Sequence, residues 1–67
     1  MLNVSKLDLP EWVRWIAQDA DGVWWGYEYE PLQYDHGWYE NEVGRNFRIA
    51  SLESNSDWQA TLQKLAD

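Results

Sequence analysis

Carboxylates, tryptophans and a single histidine are the side chains of this sequence most able to do chemistry. The 67-residue chain has 12 acidic and five basic residues, six Trp, one His and no Cys. Without cysteine, disulfides and thiolate chemistry are excluded. His36 follows Asp35 and is the one candidate for a histidine general base. Because adjacent residues in a turn seldom converge on one substrate atom, we predict no catalytic residue here.

The DADG stretch that ends at Gly22 has some of the spacing of a calcium loop. Asp19, Asp21 and Glu30 occupy positions one, three and twelve of an EF-hand pattern. The glycine required at position six is Trp24, and the flanking sequence favours strands where an EF-hand has helices. We therefore predict no metal site and no cofactor, and a hairpin turn in which Gly22 adopts a positive φ angle.

Glu28 and Glu30 are spaced by two in a segment of alternating pattern, so they point to the same side of a strand. A pair of carboxylates is what glycoside hydrolysis requires. We expect no deep substrate pocket in a chain this short, and acidic strand faces are ordinarily solvated. We expect a protein without enzymatic activity.

The acidic balance restricts the choice of partner. The formal charge is −7 and the sequence pI is near 4.3, so the average field repels phosphate backbones and anionic lipid. Direct nucleic-acid binding and membrane binding are therefore disfavoured. The sequence also lacks 18 consecutive apolar residues and an apolar run typical of a signal peptide. We expect a soluble protein whose partner presents a basic surface.

Alternating apolar and polar residues predict the elements that would position these side chains. Strands are expected at residues 13–18, 23–30, 37–41 and 45–50. A helix over residues 10–18 is the alternative for the first segment, and the turn that follows favours the strand. Within the second strand, Trp25 and Tyr27 face one way, while Trp24, Glu28 and Glu30 face the other.

The C-terminal segment has the signature of a helix over residues 57–66. Ser56 and Gln59 have the spacing of a capping box, and an apolar stripe follows. The predicted fold class is α+β: a four-stranded antiparallel β-meander with this helix packed on one face. Residues 1–9 form an N-terminal arm and residues 10–67 a single small domain. The expected core is one cluster of Trp15, Trp25, Tyr27, Phe47, Ile49, Trp58, Leu62 and Leu65.

Four motifs, in their order and spacing, resemble a group of small phage- and prophage-encoded proteins of uncharacterised function. They are PEW, DADGVWWGYEYEP, GWYENEVGR and DWQATL, and the resemblance covers about residues 10–62. The matching positions are Asp19, Asp21, Gly22, Pro31, Trp58, Thr61 and Leu62. The resemblance implies a phage or prophage origin and expression in the bacterial host cytoplasm. It implies no catalytic or ligand-binding residue.

The face that carries Trp24 leads to the functional hypothesis. In one case Trp24 and Trp12 are exposed among acidic side chains, like the aromatic anchors of protein interfaces. In the other case residues 1–9 fold back and cover both Trp side chains with Leu2, Val4 and Leu7. In the first case the chain is a non-enzymatic module that binds, and inhibits or modulates, a host protein with a basic surface. The predicted partner-binding residues are Trp24, Glu28, Glu30, Asp35, Glu40 and Glu42.

Three other hypotheses remain open. Within the binding hypothesis, the acids could form a row that mimics nucleic acid, made of Glu28, Glu30, Asp35, Glu40 and Glu42. The Trp and Tyr side chains could stack on a carbohydrate-like ligand. The chain could also be a structural phage accessory protein, either a monomer or a homodimer paired through an exposed strand edge.

Overall fold

The computed structural model describes residues 7–40 and 44–65 of the chain. Leu2, Val4 and Glu42 lie outside them. The described part contains six short strands: β1 (Trp15–Gln18), β2 (Val23–Tyr27), β3 (Leu32–Tyr34), β4 (Gly37–Tyr39), β5 (Asn46–Ser51) and β6 (Gln63–Lys64). A single 3-10 turn, Trp58–Ala60, precedes β6. The fold is therefore nearly all β, and the α+β prediction with its C-terminal helix is wrong.

The first hairpin forms as the turn chemistry predicts. β1 and β2 pair antiparallel, with Ile16 opposite Gly26 and Gln18 opposite Trp24. In the connecting turn Gly22 has a φ angle of 96°, and the Asp21 carboxylate accepts the Val23 backbone N–H at 3.0 Å. Asp and Gly favour this turn, because an Asp side chain can accept a hydrogen bond from the backbone two residues on and Gly adopts a positive φ angle without steric cost. The helical alternative for residues 10–18 is wrong.

Among the described strands, the main sheet has the order β5-β2-β1-β6, and β3 pairs with β4 in a separate two-stranded hairpin. The predicted meander is therefore wrong in its connectivity. β2 stops at Tyr27 because the chain turns at the next residues towards Pro31, which is fully buried and has no N–H to donate to a ladder. The segment predicted as a loop between residues 31 and 36 instead contains β3.

Pairing with β1 replaces the predicted C-terminal helix. β6 lies along the edge of β1, with Trp15 opposite Lys64 and Ile16 opposite Gln63, and Leu65 donates its backbone N–H to the Arg14 carbonyl at 2.8 Å. The predicted capping box is absent: Asp57 takes the N-cap position without a side-chain hydrogen bond. An isolated helix of ten residues is only marginally stable in water. At the edge of β1, by contrast, the C-terminal backbone forms hydrogen bonds with backbone groups that would otherwise bond to water.

The core lies on one face of the main sheet. It consists of Val13, Ile16 and Trp24, and the partly buried residues packed against it are Leu9, Trp12, Ile49 and Leu65. Gly26 allows this packing, because a Cβ atom there would lie 2.7 Å from Val13 Cγ1.

The opposite face of the main sheet is also covered. Ala17 and Tyr27 are buried there, and the hairpin formed by β3 and β4 packs over them. The prediction of one aromatic cluster is therefore wrong. Ile49 and Leu65 adjoin the core, Tyr27 and Trp58 are buried outside it, and Phe47 is exposed. Trp15, Trp25 and Leu62 are half-buried.

Candidate functional site

Trp24 belongs to the core and is not an exposed anchor. Its side chain is 8% exposed and packs with Val13 and Ile16. Trp12 is half-buried against the same cluster, with the Arg45 guanidinium 4.7 Å from its ring centroid. Trp24 is therefore buried, and the predicted covering residues Leu2 and Val4 lie outside the described residues. Leu9 is among the residues that cover this cluster.

Glu28 is engaged within the protein. Its carboxylate accepts hydrogen bonds from the Arg45 backbone N–H at 3.0 Å and from the guanidinium at 3.2 and 3.3 Å. These bonds to Arg45 lower the pKa of Glu28. β2 ends at Tyr27, although the Glu28 backbone N–H still donates to the Arg45 carbonyl at 3.0 Å. Because Trp24 is buried, Trp24, Glu28 and Glu30 do not share an open face.

The exposed aromatic surface lies instead on the hairpin of β3 and β4. Leu32 pairs with Tyr39, and Tyr34 pairs with Gly37, so these side chains share one face of the hairpin. Leu32, Tyr34 and Tyr39 are 41%, 69% and 44% exposed, and the two Tyr rings make an edge contact at 5.7 Å. We call Leu32, Tyr34 and Tyr39 the hairpin patch.

Three of the acidic residues predicted to bind a partner lie in the same segment as the hairpin patch. Glu30 precedes β3, Asp35 lies in the two-residue turn, and Glu40 follows β4. Glu30 and Asp35 are exposed, and Glu40 is half-buried. Asp35 has a positive φ angle of 47°, which Asp tolerates, and its carboxylate lies 3.4 Å from His36 Nδ1. The segment 29–40 contains these three acids and neither Lys nor Arg.

Trp38 fixes the hairpin on the main sheet. Its side chain belongs to the inner face of the hairpin, and its indole N–H donates to the Gln18 carbonyl at 2.9 Å. Its backbone N–H donates to the Asp19 carboxylate at 2.9 Å, and its ring meets Trp58 edge-on at 6.0 Å. Trp38 thereby determines the direction in which the hairpin patch faces.

A cavity of about 340 Å³ lies between this hairpin and the main sheet, and we call it the hairpin pocket. Its aromatic walls are Trp25, Tyr27 and Trp38, and Tyr39, whose side chain lies on the outer face of the hairpin, also lines it. Its polar lining is Asp19, Glu40 and Asn46. Burial is the main cause that raises the pKa of Asp19, partly offset by the Trp38 hydrogen bond. Burial, with the neighbouring Asp19 and Glu40 charges, also raises the pKa of the Tyr27 phenol well above its ordinary 10.0.

A second and larger cavity of about 700 Å³ opens on the core side, and we call it the C-terminal cleft. Ile16, Gln18 and Trp24 form its floor, and residues 52–55 and 60–63 form its sides. Trp24 is the one aromatic side chain among these lining residues, and it is buried. The cleft therefore lacks the stacking platform that a sugar site of the predicted kind needs.

Sequence reasoning missed the patch because it treated residues 31–37, with Leu32 and Tyr34, as a loop and so did not pair them with Tyr39 in the predicted strand over residues 37–41. A signal was present: the polar Asp35-His36 pair between LQY and GWY is a two-residue hairpin connection. Recognising that turn would have placed Leu32, Tyr34 and Tyr39 on one face. Glu30 and Asp35 are exposed, and their use in binding stays a prediction.

Comparison with known proteins adds no functional assignment, because no family model, curated protein or solved structure matches the chain. The phage origin stays a prediction. Within residues 7–40 and 44–65, no helix has the length and apolar character needed to cross a membrane. The same residues contain no group of three or more His, Asp or Glu side chains arranged to hold a metal ion.

Proposed function

We propose that the protein is a non-enzymatic interaction module that binds a protein with a basic surface through the hairpin patch and its acids. The exposure of Leu32, Tyr34 and Tyr39 together on one hairpin face is the observation that carries the proposal. Tyr is enriched among the residues that dominate binding energy at protein interfaces. In this proposal Tyr34, rather than the buried Trp24, is the central anchor.

Charge selects the partner. Glu30, Asp35 and Glu40 accompany the patch in a segment without Lys or Arg, and the whole chain carries a formal charge of −7. A basic surface would be attracted over the distance that screening permits, whereas a second copy of this chain would be repelled. Glu28 is excluded from this role because Arg45 already pairs with it.

The test uses capture from bacterial lysate followed by kinetics on the recovered partner. The parent is compared with Tyr34→Ala, which removes the proposed anchor from an exposed position. We expect Tyr34→Ala to raise the dissociation rate by about 10-fold or more, as loss of a hot-spot side chain does. Leu52→Ala is the matched control, because Leu52 is 45% exposed and lies outside the patch.

The charges are tested separately. Glu30→Gln combined with Asp35→Asn is expected to lower the association rate and its dependence on salt. Glu53→Gln combined with Asp57→Asn removes the same charge from residues outside the patch and serves as the control. If the patch variants retain the parent's kinetics while the Glu53 and Asp57 control weakens binding, the docking surface is not the hairpin.

The C-terminal cleft favours a second candidate, a binder of a small neutral ligand, because its volume lies within the range of small-molecule sites. Asn55, Thr61 and Gln63 supply polar groups to its lining. Because the cleft lacks a stacking platform, the ligand would be held by these polar groups, and a panel of small neutral polyols and amides, followed by Trp fluorescence, tests this candidate. A saturable change that Gln63→Ala removes would support the cleft as a ligand site, and its absence with every compound of the panel would contradict this second candidate.

A further inference from the structure

The hairpin pocket combines features that point to one class of ligand. Its volume of about 340 Å³ is at the lower end of the range for small-molecule sites, so it suits a compact head group rather than a large ligand. Three aromatic side chains, Trp25, Tyr27 and Trp38, form its walls, and Tyr39 also lines it although its side chain lies on the outer face of the hairpin. Aromatic rings carry negative charge on their faces and attract cations there.

The pocket also has a net negative lining. Asp19 and Glu40 contribute carboxylates, and no Lys, Arg or His is among the described residues that line it. Anionic ligands are therefore disfavoured. Asp19 is held in place by its hydrogen bond from the Trp38 backbone N–H, so one carboxylate is positioned before any ligand arrives.

Tyr27 adds an aromatic wall close to these carboxylates. Its side chain is 3% exposed and lines the pocket, and burial, together with the neighbouring Asp19 and Glu40 charges, raises the pKa of its phenol. A cation in the pocket would lie beside both the Tyr27 ring and these carboxylates.

The protein's own cations occupy other aromatic rings. The Arg45 guanidinium lies over Trp12 at 4.7 Å, and the Lys64 ammonium lies over Trp15 at 5.8 Å. Neither Trp25 nor Trp38 has such a contact among the described residues. The cation–π contacts of the described residues thus lie at Trp12 and Trp15, outside the hairpin pocket.

We infer that the hairpin pocket binds an organic ammonium cation with alkyl substituents on nitrogen, held between its aromatic walls and the Asp19 and Glu40 carboxylates. A metal ion fits poorly, because aromatic walls cannot replace the oxygen ligands that a hard cation requires. A methylated ammonium spreads its charge over apolar groups and is less strongly hydrated, so such walls suit it.

Two sources present this group: a small quaternary amine and a methylated lysine side chain on another protein. The inference does not depend on the proposed docking function, because it is tested with small cations and no protein partner.

The full chain is titrated with choline at constant ionic strength, using Trp fluorescence and the NMR signals of the indole N–H groups. A neutral isostere, 3,3-dimethylbutan-1-ol, is the control ligand.

We expect choline to bind saturably and to shift the indole signals of Trp25 and Trp38. The neutral isostere should bind more weakly by about fivefold or more, since it lacks the charge that the rings and carboxylates attract. A trimethyllysine peptide that binds at least tenfold more tightly than choline, by about 1.4 kcal/mol, would identify a protein side chain as the source. Choline equal to or tighter than the peptide would identify the free amine.

Glu40→Gln tests the carboxylate and is expected to weaken choline binding by about fivefold or more. Glu53→Gln is the matched control, because Glu53 lines the C-terminal cleft instead. Trp25→Leu tests the aromatic wall, and Glu40→Gln keeps the inference testable if Trp25→Leu does not fold. Equal binding of choline and its neutral isostere would overturn the inference, as would parent-like binding by Glu40→Gln or shifts confined to other Trp residues.

Discussion

Gln18 joins three parts of the chain that are far apart in sequence. Its side-chain amide donates to the Gly22 carbonyl at 3.0 Å and to the Glu53 carbonyl at 3.4 Å, and its oxygen accepts from Asn55 Nδ2 at 2.9 Å. Its backbone N–H donates to the Thr61 hydroxyl at 2.8 Å. The side chain is 4% exposed, and every polar atom of its amide has a partner. A buried amide with this set of partners holds segments in place rather than binding a ligand.

Gln18→Met preserves the length of the side chain and removes its hydrogen bonds. The Gly22 carbonyl and the Asn55 amide then lose a buried partner, so we expect a loss of about 1–3 kcal/mol in the free energy of unfolding. Urea denaturation measures this loss. Gln33→Met, at an exposed position of β3, should change the same free energy by about 0.5 kcal/mol or less. Equal losses in the two variants would contradict the role given to Gln18.

At the scale of elements, the hairpin of β3 and β4 is the unit on which both proposals depend. It shares no strand ladder with the main sheet, and β4 meets β1 through a small set of contacts. Trp38 is central to these contacts, through the Gln18 carbonyl, the Asp19 carboxylate and the Trp58 ring. Local opening of such an attached unit requires less free energy than global unfolding.

Trp38→Phe keeps an aromatic ring and removes the indole donor. We expect the free energy that holds the hairpin closed to fall by about 1–3 kcal/mol, because the Gln18 carbonyl loses this donor and the smaller ring loses contact area. Amide hydrogen exchange should therefore accelerate in β3 and β4 more than in β1 and β2. Tyr34→Phe, on the outer face, is the control and should leave these rates near those of the parent. Uniform acceleration across all strands would show that the hairpin does not open separately.

For the whole molecule, the dominant feature is its charge. A formal charge of −7 on an 8.0 kDa chain means that like charges repel one another in the compact state. The ion pair between Glu28 and Arg45 opposes this repulsion locally, but both side chains are partly exposed and such pairs contribute little. The net electrostatic effect on folding is therefore expected to be unfavourable.

Salt should consequently stabilise the protein. Raising NaCl from about 0.01 M to about 0.1 M shortens the screening length from about 30 Å to about 10 Å and weakens the repulsion. We expect an increase of up to about 1 kcal/mol, equivalent to about 4–8 °C in melting temperature for a domain of this size. Circular dichroism melts measure it. The Glu53→Gln, Asp57→Asn variant carries fewer like charges and should respond less, and a melting temperature that falls with salt would mean that local ion pairs outweigh the net repulsion.

Local chemistry in the sequence determined the first hairpin and the electrostatic character of the protein. Asp21 and Gly22 have few alternatives to a tight turn, and the strands beside them follow from alternation. The charge follows directly from composition. These features were predictable because each depends on neighbouring residues or on a simple count.

Only the tertiary structure decided which faces are covered and what the C-terminal segment becomes. Alternation places Trp24 and Trp25 on opposite faces of the strand, but it does not predict that both faces of the sheet are covered. Because packing covers both faces, Trp24 lies in the core. The spacing of Trp58, Leu62 and Leu65 is typical of the apolar face of a helix. In the structure, however, Gln63–Lys64 pair with the edge of β1 and form a strand. Both outcomes depend on partners distant in sequence, because backbone groups and apolar faces are satisfied by whatever element folds against them.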